Sequence, residues 1–313
     1  MKTNKKPLIT VCITTYNRFT DTLACLDSVY KSKFHNFETI VFDNHSDKKF
    51  NKSILSPYHN IRYIYNDKNI GVAGAKAVFE VKAKGKYIMM LDSDTLIDKN
   101  MLGELVKEIE QDSKIGICAP KMYFYDKRKT NILIGGLGKF SKITTLCSDK
   151  ACFQKDRGQF NDITPIDYAQ HGYMIRKTVM DFAGGHDCRL VMTYSETDFF
   201  IRVQEKGFKT IYVPQAKLWH RTKLIPSPEN ILRDELGLSD AKRIYYNMRN
   251  RSIVVKRYSP YWAKIIYLSS LVHLFLVFYL YKFTLYKAQK DYFVHLVRGY
   301  VEGLEIFIGL RKL

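Results

Sequence analysis

The stretch that most constrains this chain runs from Tyr87 to Asp98 and reads Tyr-Ile-Met-Met-Leu-Asp-Ser-Asp-Thr-Leu-Ile-Asp. Five apolar residues, entered through Gly85, lead straight into two carboxylates, Asp92 and Asp94, one residue apart. An unbroken apolar run of this kind is the pattern of a strand buried on both faces of a sheet. The loss of apolar character at Asp92 marks the strand's C-terminal end, and ligands of open α/β sheets bind beyond that end. Alternate side chains of extended backbone share a side, so Asp92 and Asp94 point the same way. Two carboxylates so placed repel each other unless a cation or a donor lies between them. Asp-x-Asp therefore reads as a site for Mg2+ or Mn2+, held by carboxylates together with substrate phosphates. The competing reading is a plain strand-to-helix turn in which Asp98 caps the next helix. Spacing alone leaves both open.

The surrounding pattern narrows the choice. Residues 8–14 predict a buried first strand, closed by the polar turn Thr14-Thr15-Tyr16-Asn17-Arg18, with a helix over 20–32. A second strand over 37–42 ends at Asp43-Asn44-His45-Ser46-Asp47, and a third over 61–65 at Asn66-Asp67-Lys68-Asn69-Ile70-Gly71. A helix over 72–84 then leads into the Asp-x-Asp strand. This alternation predicts an α/β fold with a Rossmann-like, mostly parallel sheet flanked by helices. In such a sheet the polar ends after strands one, two and four line one crevice. Further on, helices are expected over 101–111, 176–182 and 195–206, and strands over 115–119, 167–175 and 210–213, with a short extended piece at 216–220. Residues 123–162, around Gly135-Gly136-x-Gly138, mix polarity and read as hairpins or a long loop facing an acceptor. The expected division is a catalytic domain over 1–222 and a helical region over 223–313.

Charge limits the partners. The chain carries 50 Lys and Arg against 31 Asp and Glu, a net of +19. That excess fits nucleic acid, a membrane surface or phosphorylated substrates. Residues 221–313 hold 16 basic residues against 7 acidic ones, the denser share. Nucleic-acid binding would explain the charge but not the ordered carboxylates, so it is set aside. Six cysteines form no Cys-x-x-Cys pair and read as free thiols of a reducing compartment. The N-terminus, with Lys2, Lys5 and Lys6 before a short strand-like run, does not read as a secretory signal.

The C-terminal region is expected to meet lipid. A basic, aromatic helix over 240–258 precedes an apolar segment near 261–283, long enough to span a bilayer. An amphipathic helix follows near 290–311. One crossing would carry Lys282, Lys287, Lys290 and Arg298 to the face opposite the catalytic domain, against the positive-inside tendency. Helices lying in the interface, or a shallow hairpin, keep these charges on the cytoplasmic face, and this is the favoured reading. A buried helical pair packed on a soluble domain is the third option.

Taken together, Thr14-Thr15-Tyr16-Asn17-Arg18, Asp43-Asn44-x-Ser46, Asn69-Ile70-Gly71, Leu91-Asp92-Ser93-Asp94, Gly184-Gly185-x-Asp187, Glu196-x-Asp198-Phe199-x-x-Arg202 and His220 occur in one order. This set resembles family 2 glycosyltransferases of the GT-A fold, in a rhamnosyltransferase-like subgroup, over residues 7–222. The resemblance implies inverting transfer of a hexosyl group from a UDP-, GDP- or dTDP-sugar, with Mg2+ or Mn2+. It implies that Thr15, Asn17 and Asp43 face the nucleoside, that Gly71 and Lys76 contact the nucleotide, and that Asp92 and Ser93 lie at the ribose. Asp94, Asp92 and His220 would ligate the metal, and Glu196 would be the general base. Asp187, Asp198 and Arg202 fall on the acceptor side, although Asp198 and Arg202, four apart on a helix, would equally form an ion pair that orients the base.

Two departures stand out. The family often shows Glu-Asp-x-Asp where this chain has Ser195-Glu196-Thr197-Asp198, which lengthens the base by one methylene. Ala77 stands where relatives commonly place Asn. The Gln-x-x-Arg-Trp signature of processive synthases is absent, so one sugar per encounter is expected. The acceptor is expected to be a polyprenyl- or dolichyl-linked saccharide. Direct transfer to polyprenyl phosphate and an inactive, membrane-tethered binding scaffold are the alternatives.

Overall fold

A computed structural model describes residues 6–126, 128–221, 240–286 and 290–313. Lys287 and positions 223–239 of the expected C-terminal region lie outside the described residues.

Four parallel strands open the chain: β1 (Ile9–Thr15), β2 (Phe37–Asp43), β3 (Ile61–Tyr65) and β4 (Tyr87–Asp92), ordered β4-β1-β2-β3. Helices α1 (Phe19–Tyr30), the single turn α2 (Lys52–Leu55) and α3 (Gly71–Lys82) connect them. The apolar run of β4 is buried on both faces, as its composition requires. Tyr87, Met89 and Leu91 join the layer under α1 and under α4 (Met101–Gln111), whereas Ile88 and Met90 join the opposite layer. By that alternation Asp92 falls on the second side, with α3.

The second half of the sheet is mixed. After the short β5 (Thr95–Ile97) come the long β6 (Ile115–Asp126) and β7 (Arg128–Gly135), paired antiparallel, then the hairpin of β8 (Gly138–Phe140) and β9 (Cys147–Asp149). The blurred 123–162 segment is therefore hairpins. β10 (Thr164–Pro165) leads to β11 (Gly172–Arg176), which slots antiparallel between β4 and β6. The expected strand over 167–175 thus starts later, at Gly172. Helices α5 (Lys177–Ala183) and α6 (Ser195–Glu205) cover the α3 side, with Phe199, Phe200 and Val203 of α6 in that core. β12 (Lys209–Arg221) is one long strand, not two. Its register against β6 slips between Val213 and Lys217, where the sequence shows a break.

The C-terminal helices are α7 (Ala241–Tyr258), α8 (Tyr261–Ile266), a π-helical turn (Tyr267–Leu271), α9 (Val272–Tyr286) and α10 (Lys290–Ile308). α10 lies against α7 at backbone distance. A Cβ on Gly299 would come within 2.4 Å of the Tyr245 carbonyl oxygen, and one on Gly303 within 2.7 Å of Ser252 Oγ. Arg249 Nε meets Glu302 Oε1 at 2.9 Å across the same seam. Among the described residues one helical stretch, Tyr261–Thr284, 24 residues long, is apolar enough to cross a membrane. Cys12, Cys25, Cys118 and Cys188 are free thiols.

Candidate active site

The topology explains which side chains meet. β11 pairs with β4 so that Gly172 lies across from Leu91, which sets His171 beside Asp92. His171 Nδ1 lies 3.0 Å from Asp92 Oδ2, and the Asp92 amide donates to the His171 carbonyl at 3.2 Å. β12 pairs with β5 so that His220 faces Thr95. His220 Nε2 then reaches Asp94 Oδ1 at 3.3 Å, and Arg18 Nη1 takes Asp94 Oδ2 at 2.8 Å. The two imidazoles approach with ring centroids 3.9 Å apart. Asp92, His171 and His220 each offer one ligand atom, all within 4.8 Å of one another. Asp94 is not in that group; its oxygens are engaged by Arg18 and His220.

The electrostatics follow the geometry. Burial alone would raise the Asp92 carboxyl, but the hydrogen bond and field of His171 and the charge of Lys76 outweigh it and hold it well below the usual carboxylate range. Asp94 is likewise lowered against burial, chiefly by His220. His220 is raised: burial works against its charged form, and Asp94 overcomes that.

On the α3 side, Lys76 donates to Glu196 Oε1, and Ser195 Oγ donates to Glu196 Oε2 at 2.8 Å. Burial would raise Glu196, but Lys76 reverses the sign and lowers it. Burial would lower Lys76; Glu196, Tyr173 and Asp92 together raise it. Lys76 thus hydrogen-bonds Glu196 and also feels the charge of Asp92. Gly71, at φ +73°, opens α3, and a Cβ there would sit 2.4 Å from Val191 Cγ1. The Val191 carbonyl accepts from the Val72 and Ala73 amides at 2.9 and 3.3 Å, so the segment leading into α6 caps α3.

The remaining expected residues fall into two groups. Thr15 and Asp43, expected to face the nucleoside, are buried. Thr22 Oγ1 donates to Thr15 Oγ1 at 2.8 Å, and Asp43 accepts from the Ser46 amide at 2.8 Å and from Tyr63 Oη at 2.7 Å. They brace the crevice loops from beneath. Asn17 is exposed, at φ +52°, and joins those loops through the Ser46 hydroxyl and Asp47. Ser93 is buried in the turn between the two aspartates. Asp198 is fully buried and does not open toward an acceptor. Arg202 holds its Oδ2, while Arg257 and Tyr258 hold its Oδ1, each at 2.6 Å. Arg202 spends its other nitrogens on the Ala183 and Gly185 carbonyls. The ion-pair alternative is the one that forms. Asp187 pairs with Arg189 at 2.8 Å and with Arg257 at 2.7 Å.

Sequence reasoning missed His171, Arg257 and the role of Arg18. His171 carried the same signal as Asp92, a polar residue abutting an apolar run, but it was absorbed into an expected strand. Beside it a cavity of about 310 Å³ opens, lined by Gly135, Gly136, Gly138, Asp149 and Tyr168 among others. Asp149 Oδ2 accepts the Gly136 and Leu137 amides at 2.7 and 2.8 Å, which accounts for the glycine cluster there.

A mixed sheet carrying an acidic turn at the end of β4, with imidazoles brought in by β11 and β12, defines a GT-A-like fold and cleft. The chain belongs to glycosyl transferase family 2, whose description matches residues 10–181. It is 25% identical over 286 residues to an uncharacterized glycosyltransferase of Methanocaldococcus jannaschii, covering 87% of this chain and 89% of that one. Other curated relatives match over shorter stretches, spanning 42%, 16% and 24% of their lengths. The fold is similar to that of S. aureus TarS in complex with UDP-GlcNAc, with a TM-score of 0.60 at 13% identity, covering 95% of this chain and 80% of that one. It is similar also to mannosyltransferase PcManGT from Pyrobaculum calidifontis in complex with GDP-Man and Mn2+, with a TM-score of 0.51 at 12% identity, covering 99% and 89%.

Proposed function

We propose that this glycosyltransferase moves one hexosyl group, with inversion, from a nucleotide-sugar donor to a lipid-linked saccharide at the cytoplasmic face of a membrane. The observation that carries the reading is the cluster at the end of β4, where His171 meets Asp92 and where His220 and Arg18 hold Asp94, within the charge field of the Lys76–Glu196 pair. A base and a phosphate-side carboxylate then both act on the charge of one buried ammonium. The UDP-GlcNAc bound by TarS, and the GDP-Man and Mn2+ bound by PcManGT, support the donor class.

The donor set suits a divalent ion. One carboxylate and two imidazoles gather within 4.8 Å, and Nδ1 of His220 is buried without a hydrogen-bond partner. Nitrogen donors beside a carboxylate favour Mn2+ over Mg2+. Asp92, His171 and His220 would hold the ion, with Asp94 at its margin. When bound, it supplies charge to offset a departing nucleoside diphosphate.

The chain's own residues do the rest. Glu196, ionised at neutral pH, accepts the acceptor hydroxyl proton as that oxygen attacks the anomeric carbon from the side away from the diphosphate. Lys76 holds Glu196 in place and adds positive charge to the donor side. Arg18, at the rim, offers a guanidinium to the phosphates when it leaves Asp94. Thr15 and Asp43 fix the loops that meet the nucleoside rather than meeting it themselves. The hairpins over 123–162, with the cavity beside His171, form the acceptor side.

The division into a catalytic unit over 1–222 and a membrane-associated unit over 223–313 remains our reading. The packing of α10 on α7 favours a peripheral or hairpin attachment. A single crossing by Tyr261–Thr284 would tear Gly299 and Gly303 from their seats on Tyr245 and Ser252.

Incubating the purified full chain and Mn2+ with UDP-, GDP- and dTDP-sugars should release nucleotide from one class, with an inverted anomeric product by NMR. Release from none of them, with or without prenyl-linked acceptors, would remove the proposal.

Lys76→Met gives a separate expectation. The wild-type carboxyl is depressed, so the base stays ionised, and its ion pair stabilises the fold, above the ordinary glutamate pKa of about 4.3. That contribution is lost as pH falls through the folded value. Without Lys76, burial acts unopposed and the Glu196 pKa rises. The acid limb of the kcat/KM profile should move up by at least about one pH unit. An unmoved limb would show that Lys76 does not set the base.

A further inference from the structure

The last turn of α7 reaches into the catalytic helix. Arg257 spans two carboxylates, with Nη1 on Asp198 Oδ1 at 2.6 Å and Nη2 on Asp187 Oδ2 at 2.7 Å. Tyr258 Oη adds a second bond to Asp198 Oδ1 at 2.6 Å. Asp198 is fully buried and stands two residues after Glu196 in the first turn of α6. A buried carboxylate stripped of its guanidinium is strongly unfavourable, so this contact fixes α6 firmly to α7. The same face of α7 holds the approach to α6: Asn250 Nδ2 donates to the Thr193 carbonyl at 2.9 Å, and Arg251 Nε to Tyr194 Oη at 3.0 Å.

Immediately beyond Tyr258 the chain turns outward. Ser259 hydrogen-bonds the Lys142 carbonyl on the acceptor side, and Pro260 has a ring-fixed φ of −63°. Then α8 begins with Tyr261 and Trp262, 80% and 52% exposed, and the exposed apolar face continues through Ile265, Leu274 and Val277. Tyr and Trp at such a position suit the headgroup level of a bilayer, and Lys264 and Lys282 supply charge for anionic lipid. Only Tyr258, the cap residue Ser259 and Pro260 separate this surface from Arg257, so little slack exists to absorb a movement of α8.

We infer that Arg257, supported by Tyr258, is a positioning residue for Glu196 and transmits the seating of α8 and α9 on an anionic lipid surface to the catalytic helix. This rests on the reading of Glu196 as base and of the C-terminal helices as lipid-facing. It adds a residue outside the segment matched by the family, which ends at 181.

Amide hydrogen exchange of the full chain, with and without phosphatidylglycerol vesicles, tests it. In the wild type, vesicles should slow exchange over 195–200 by at least about threefold, with no change in α4. Arg257→Gln should still co-float with the vesicles but lose that response, and kcat should fall while Mn2+-dependent UDP or GDP binding stays. Arg257→Lys should recover part of both. If Arg257→Gln unfolds, seen as fast exchange in α4, Tyr258→Phe takes its place and should weaken the response. Wild-type protein that fails to bind vesicles, or binds them without change over 195–200, overturns the inference, as does a full response in Arg257→Gln. Glu196→Gln should keep the vesicle response. Transfer surviving in Glu196→Gln would remove the base assignment alone, so the two failures are distinguishable.

Discussion

Glu196→Gln is expected to lower transfer by about 10²- to 10⁴-fold, the range a positioned general base supplies. The substitution keeps the side chain's shape and its bond from Ser195 but removes the negative charge opposite Lys76. Nucleotide binding should survive, because the carboxylate and imidazoles at the end of β4 are untouched. Single-turnover assays with a saturating donor separate the two effects: kcat falls and donor affinity holds. Some loss of stability should accompany it, since a buried ammonium loses its partner. Wild-type rates in this variant would mean that another group takes the proton.

The second large effect concerns the metal. With Mn2+ and nucleotide at about 100 times their dissociation constants, ligand linkage adds about 2.7 kcal/mol to the folded state. For a domain of 150–250 residues that amounts to about 2 to 4 °C of Tm per kcal/mol. UDP and GDP with Mn2+ should therefore raise Tm by several degrees for whichever base fits. Asp92→Ala and His220→Ala should each abolish that Mn2+-dependent rise. His171→Ala should do so in large part, which distinguishes this site from one built on the two aspartates alone. An unchanged, Mn2+-dependent shift in His171→Ala would show that the imidazole only props Asp92.

The difference between what the sequence disclosed and what it concealed has a physical basis. The parallel half of the sheet was legible because β1, β2 and β4 are largely apolar runs that stop at polar or charged residues, and each stop is a local event. The helix that begins at Ser195 was legible from its amphipathic pattern, whereas Glu196 is singled out in it by the family resemblance. The antiparallel insertion of β11 was not, since nothing within Gly172–Arg176 states which neighbour it pairs with. His171 went unread as a direct consequence, because its importance comes from the register that sets Gly172 opposite Leu91. The family resemblance places Asp43 at the nucleoside, and Asp198 on the acceptor side or in an ion pair with Arg202, but the resemblance carries no sign that either side chain is buried. Tyr63, 20 positions from Asp43, and Arg257, 59 from Asp198, bury them instead. Arg257 could not have been selected among 50 basic residues by any local pattern.

The placement of β11 between β4 and β6 also governs when this enzyme becomes an enzyme. When the chain has been made only as far as α4, β4 lacks the neighbour that β11 will supply, and neither His171 nor His220 has yet been added. β11 can cover that border of β4 only once Arg176 has been added, and the cluster of Asp92, His171 and His220 is complete only with His220. Until then the unfinished chain carries an open strand edge, the kind of surface that pairs with other chains.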